Sequence, residues 1–177
     1  MILGLDVSTS ITGATVIDYD GNILFCEAWR FQNKKNFPNL FSKAKFAKKQ
    51  LSEIKKKYDI KHVYIEKSLQ SFRSGFSSAK TISTLAAFNG IVSWLCYEQW
   101  CMQPEYISAP SARKSCGVPK KEKGDDIKKI VLKFVLDTEP EFCYDKTKFG
   151  NPVPGTFDRA DSLIIAKAGL KCIQGKK

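Results

Sequence analysis

Histidine is nearly missing from this chain of 177 residues: His62 stands alone, and the six cysteines, Cys26, Cys96, Cys101, Cys116, Cys143 and Cys172, include no CxxC pair. That pattern meets no usual zinc spacing and no disulfide framework, so reduced, mostly buried thiols are expected. Arginine is scarce too. Of 29 basic residues only Arg30, Arg73, Arg113 and Arg159 are arginine, so 25 are lysine, which meets phosphates as a point charge more readily than it reads bases. No run approaches the roughly eighteen apolar residues of a membrane span, and the opening MILGLDVSTS lacks the basic and apolar stretches of a secretory signal. The expectation is a soluble intracellular protein.

What is present is positive charge. The formal net charge is +11, which calls for an anionic partner held by affinity more than by sequence reading. With 43% apolar residues and 12% aromatic ones, the chain has enough for one sizeable core, hence one domain over residues 1–177.

The run ILGLDV (2–7) reads as a strand, and ATVIDYDGNILFCEAWRF as two more, split at Asp20-Gly21, a strong hairpin signal. Gly13 is expected to permit the return after the first strand. From Asn39 to about Asp59, Leu40, Ala44, Ala47, Leu51, Ile54 and Tyr58 fall at helical spacing, with lysines on the other faces. HVYIE (62–66) reads as a buried fourth strand and residues 67–78 as a polar loop. A helix over 77–100 follows, with Ile82, Leu85, Ala86, Val92, Leu95 and Cys96 inward and Gly90 at a close backbone approach. PEYISAP (104–110) is the fifth strand, and 111–123 is basic and irregular. A helix over 125–136 is capped by Asp125. Residues 138–156 carry three prolines and no periodicity, a long connection that is either functional or mobile. A last helix begins near Phe157, with Asp158 and Asp161 in its first turn. The order is that of a mixed α/β sheet: three antiparallel N-terminal strands, then parallel strands reached through helical crossovers.

Four acids stand where core logic does not want them. Asp6 ends the first apolar strand, Glu66 ends the fourth, and the i, i+3 spacing of Asp158 and Asp161 puts both on one helix face. Carboxylates about 5 Å apart repel by roughly 3 kcal/mol per ionised pair at an effective dielectric near 20. A hard divalent cation relieves that repulsion, and oxygen-only ligands favour Mg²⁺ or Mn²⁺, two of which serve in-line phosphoryl chemistry in nucleases. Each acid also has an ordinary role to set beside this: Asp6 accepting amide bonds from the next loop, Glu66 at a solvated strand end, Asp158 and Asp161 as a cap and a dipole-favoured acid. Their joint occurrence favours the metal.

LGLDVSTSITGATVID, VYIEKS, SARKSCG and FDRADSLIIAKAG resemble, in order and spacing, the RuvC-type Holliday junction resolvases of the RNase H-like (retroviral integrase) superfamily, over residues 2–136 and 157–170. The resemblance implies an RNase H-like domain whose metal-binding catalytic acids are Asp6, Glu66, Asp158 and Asp161. It implies Mg²⁺-dependent hydrolysis, two ions per site with Mn²⁺ able to substitute, leaving 5′-phosphate and 3′-hydroxyl ends. The partner is branched DNA, chiefly a four-way junction, nicked by a homodimer without membrane involvement. Basic residues near the scissile phosphate fall at Arg113, Lys114 and Lys123, with Lys120 and Lys121 as rivals. Where the family carries a wedging aromatic after the catalytic Glu this chain has Leu69, and Lys67, Phe72 and Arg73 become the DNA contacts of that loop. A lysine-rich, divergent member would suit a phage or virus that debranches its DNA, acting inside a bacterial or infected cell.

Three other readings compete. The opening motif also resembles the phosphate-binding turn of actin-like and sugar-kinase ATPases, which need two such domains and glycine-rich adenosine segments. A superfamily nuclease acting on RNA shares the acid order but runs shorter. A non-catalytic basic DNA-binding module would use the lysines alone.

Overall fold

Period-two alternation decides which way each strand faces. The computed structural model describes residues 1–67 and 79–175. In β1 (Ile2–Asp6), Leu3 and Leu5 enter one core and Ile2 the other; in β4 (His62–Glu66), Val63 and Ile65 enter the first and Tyr64 the second. Asp6 and Glu66, two residues beyond Gly4 and Tyr64, therefore share the second face.

The sheet has five strands in the order β3-β2-β1-β4-β5, with β2 spanning Ile11–Ile17, β3 Ile23–Arg30 and β5 Glu105–Ile107. β1, β2 and β3 pair antiparallel, while β4 runs parallel to both β1 and β5. The β2–β3 return is made by Asp18, whose carboxylate accepts the amides of Asp20 and Asn22, and by Gly21 at φ +94°. The mixed α/β architecture is the one expected.

On the first face lie α1 (Leu40–Lys57), burying Ala47, Leu51 and Ile54, and α2 (Ala79–Trp100), burying Phe88, Val92, Leu95 and Cys96. Asn39 and Ser42 form a reciprocal capping box at the start of α1. On the second face lie α3 (Ala109–Cys116), α4 (Ile127–Thr138) and α5 (Thr156–Gln174). Leu163 of α5 is fully buried, and its truncation to Ala would cost about 2–5 kcal/mol.

Several expectations are corrected. The segment read as irregular contains α3, which Ser108 caps by accepting the Ser111 amide and Gly117 ends at φ +84°. Asp126, not Asp125, caps α4; Asp125 accepts the Glu122 amide instead. β5 is shorter than 104–110. Gly13 lies within β2, not in a turn, and Ser8 closes the β1–β2 connection by accepting the amides of Ser10 and Ile11. Gly90 and Ala86 are exposed, and a Cβ at Gly90 would meet nothing within 4 Å among the described residues. All six cysteines are free, but only Cys96 is fully buried; Cys101, Cys143 and Cys172 are exposed. Among the described residues no helix is long and apolar enough to cross a membrane.

The long connection over 138–156 folds back on the body. Phe142 is buried beneath the Arg159 guanidinium, the Lys146 and Pro152 backbones form an isolated bridge, and Arg30 donates to the Pro154 carbonyl at 2.6 Å.

Candidate active site

α5 lies close against β1 and β2 because glycine removes what would hold it off. A Cβ at Gly4 would come within 2.5 Å of the Ser162 carbonyl, and one at Gly13 within 1.9 Å of the Asp158 carbonyl. Thr15 and Ser162 share a buried 2.8 Å hydrogen bond, and Arg159 Nε donates to the Cys26 carbonyl at 3.0 Å. Gly155, at φ +94°, starts the helix where a Cβ would strike Ala28. Asp158 falls in the first turn; Asp161 stands one turn further in, not in the first turn as expected, with the shared face preserved.

Asp6, Glu66, Asp158 and Asp161 line one cleft of about 300 Å³, each half-buried. In the loop that follows Asp6, the Thr12 hydroxyl accepts the Ser8 amide and the Ser8 hydroxyl accepts those of Ser10 and Ile11. On the other strand end, buried Asn89 of α2 donates to the Glu66 carbonyl at 3.2 Å and the Lys67 amide bonds the Ile107 carbonyl, fixing where β4 stops.

Burial raises all four carboxyls, and repulsion between neighbouring carboxylates adds to it at Asp6, Glu66 and Asp161. Asp6 is held well above the usual carboxylate range, first by burial and then by Glu66, Asp161 and Asp158. Burial and Asp161 push Glu66 to about 7, burial takes Asp161 to about 6, and burial raises Asp158. Lys128 opposes the rise at every one of the four, and Arg113 at Glu66 and Asp161. Both cations line the cleft.

The donor set is all oxygen and short of positive charge, which fits a hard divalent cation. Among the described residues, however, no group of three or more His, Cys, Asp or Glu side chains stands ready to hold a metal ion as placed. The acids share the cleft without forming a finished cage.

The expected basic contacts separate. Arg113 enters the acid cleft, while Lys114, Lys120 and Lys121 line a neighbouring one. Lys123 and Lys67 are exposed and line neither; Phe72 and Arg73 lie outside the described residues. Lys128 was missed. It sits two residues after the Asp126 cap, in the first turn of α4, within a lysine-rich stretch that offers no local reason to single it out.

This architecture is the RuvC-type, RNase H-like resolvase fold. The structure of Thermus thermophilus RuvC in complex with a Holliday junction substrate superposes with a TM-score of 0.67 at 12% identity, covering 98% of this chain and 96% of that one. A second Thermus thermophilus RuvC structure gives 0.64 at 14%, with the same coverage. The yeast mitochondrial Holliday junction resolvase Ydc2 gives 0.58 at 17%, covering 96% of this chain and 77% of that one. No protein-family model and no curated protein matches the sequence.

Proposed function

We propose that this protein is a structure-specific endonuclease that resolves four-way DNA junctions. The observation carrying the reading is the gathering of four carboxylates from three elements in one cleft edged by Arg113 and Lys128, on a resolvase fold. The net charge of +11 supports a polyanionic substrate.

Asp6, Glu66, Asp158 and Asp161 would hold Mg²⁺ or Mn²⁺, at most two ions. A bound cation supplies neutralisation of the carboxylates and of the phosphate, and a more acidic water. The chain's own groups do the rest. Arg113 and Lys128 hold the phosphate oxygens, and the Glu66 carboxylate accepts a hydrogen bond from the attacking water. Attack at phosphorus breaks the P–O3′ bond, leaving a 5′-phosphate and a 3′-hydroxyl.

The working unit is a homodimer, since a two-fold junction needs two opposed incisions. Its contact is the face of α2 carrying Ser83, Ala86, Ala87, Gly90, Trp94 and Tyr97. That face is exposed and uncharged on a strongly basic protein, with Trp94 63% exposed and its ring 5.6 Å from that of Tyr97.

Synthetic four-way junction, Y-fork, linear duplex and RNA–DNA hybrid, each with Mg²⁺, Ca²⁺ or chelator, test the proposal on one gel. Paired nicks in the junction with Mg²⁺ are expected. Preferential cutting of the hybrid would instead favour an RNA-directed nuclease, and binding without cutting a non-catalytic module.

A further inference from the structure

Beside the acid cleft lies a larger one, of about 680 Å³, between the end of α3 and the start of α4. Arg113 and Ile127 line both, so the two clefts adjoin. Its apolar lining comes from Pro110, Val118, Pro119 and Ile127, and its charged lining is wholly basic: Arg113, Lys114, Lys120 and Lys121. Among the described residues no carboxylate, amide or aromatic side chain lines it. Gly117, at φ +84°, turns the chain out of α3 and places Val118 and Pro119 opposite Ile127.

Duplex DNA presents phosphates outward and keeps base and sugar faces stacked, so a basic rim alone would suffice to bind it. An apolar lining set among basic side chains suits something different: one nucleotide taken out of its stack, its phosphate on the cations and its flat face on proline and branched aliphatic side chains. We propose that this cleft receives the nucleotide next to the scissile phosphate, unstacked from its neighbour. The inference rests on the phosphodiesterase reading and adds a substrate requirement to it. Only a branch point, nick or mispaired step yields such a nucleotide cheaply, because unstacking a paired base costs a few kcal/mol. Without side-chain amides or carboxylates in the lining, selection acts on the unstacked state and not on base identity.

The test places 2-aminopurine on either side of the mapped cleavage position of a four-way junction and follows its fluorescence on binding in Ca²⁺, with cutting measured separately in Mg²⁺. A severalfold rise at one of the two positions is expected. Pro119→Asp, at an exposed residue, should abolish the rise and weaken junction binding about tenfold. The pair Lys120→Ala with Lys121→Ala should lower the salt slope of binding by about two. Junctions cut normally with fluorescence flat at both positions, or a rise untouched by Pro119→Asp, would overturn the inference and leave the nuclease reading standing. A protein that neither binds nor cuts any DNA overturns both.

Discussion

Gly13 and Asp158 compete for the same space: a Cβ on the glycine would come within 1.9 Å of the aspartate's carbonyl oxygen. Gly13 is also the partner of Asp6 across the β1–β2 ladder. The absence of one side chain thus brings a helix-borne carboxylate over a strand-end carboxylate, and the site depends on that vacancy as much as on its acids.

Gly13→Ala must push the first turn of α5 outward. Backbone is the obstacle and cannot rotate aside, so a loss of about 1–3 kcal/mol is expected, together with loss of cleavage. Gly90→Ala, in open space on an exposed helix within one protomer, should instead stabilise the monomer by about 0.5–1 kcal/mol. Chemical denaturation of the two variants side by side checks both signs.

Asp6→Asn, Glu66→Gln and Asp161→Asn each remove a charge the cation would need, leaving the lysines untouched. Cleavage of a four-way junction in Mg²⁺ should fall by about 10²-fold or more while junction binding in Ca²⁺ stays within about threefold. Gel assays of cutting and of mobility shift separate the two effects; full activity in any of the three would remove that residue from the site.

The carboxyls are raised in the folded state, so the unfolded chain binds fewer protons than the folded one at intermediate pH. Their contribution to stability is complete below the ordinary carboxylate range and is lost as pH climbs through the folded values, about 6 for Asp161 and about 7 for Glu66. In chelator, the melting temperature should therefore fall between about pH 5 and pH 8. Mn²⁺ should restore more at pH 8 than at pH 5, where protons compete for the same oxygens. A metal-free melting temperature that rises over that window would contradict the repulsive cluster.

Much of this site was legible because strand alternation and helical i, i+3 spacing are local rules. They placed Asp6 and Glu66 at parallel strand ends and Asp158 with Asp161 on one face. What escaped depended on tertiary placement. A glycine in β2 looks the same in sequence whether it turns the chain or admits a helix, and only the packing of α5 shows that Gly13 does the latter. α3 escaped because it is eight residues long with only Ala112 buried, so its stability comes from Ser108, Gly117 and the packing around it. Lys128 escaped because nothing local distinguishes it from Lys129; the meeting of α4 with α5 does.

Lys128 opposes the carboxyl shift at all four acids, and its loss should be felt by all of them. Lys128→Met should lower the cleavage rate about 10-fold to 100-fold and reduce the salt slope of junction binding by about one, as expected for a single phosphate contact. Lys129→Met, one residue on and absent from the cleft lining, should change the rate by less than about twofold. Single-turnover cutting across a salt series measures both.

The last expectation concerns assembly. The exposed α2 face carries no charge over four turns, and Trp94 with Tyr97 presents a large aromatic surface at its end. Placing a cation there, Trp94→Lys, exchanges one largely exposed residue for another in the monomer, so folding should be little affected. In a dimer formed through this face the same lysine would be desolvated in the contact, at a cost of several kcal/mol. Analytical ultracentrifugation should show the wild-type dimer dissociating in the variant while its melting temperature at low protein concentration is retained. The variant should then nick one strand of a junction without the coordinated second cut. A wild-type protein that sediments as a monomer when bound to a junction would sink the two-fold arrangement, and paired cutting by a monomeric Trp94→Lys protein would sink its coupling to catalysis.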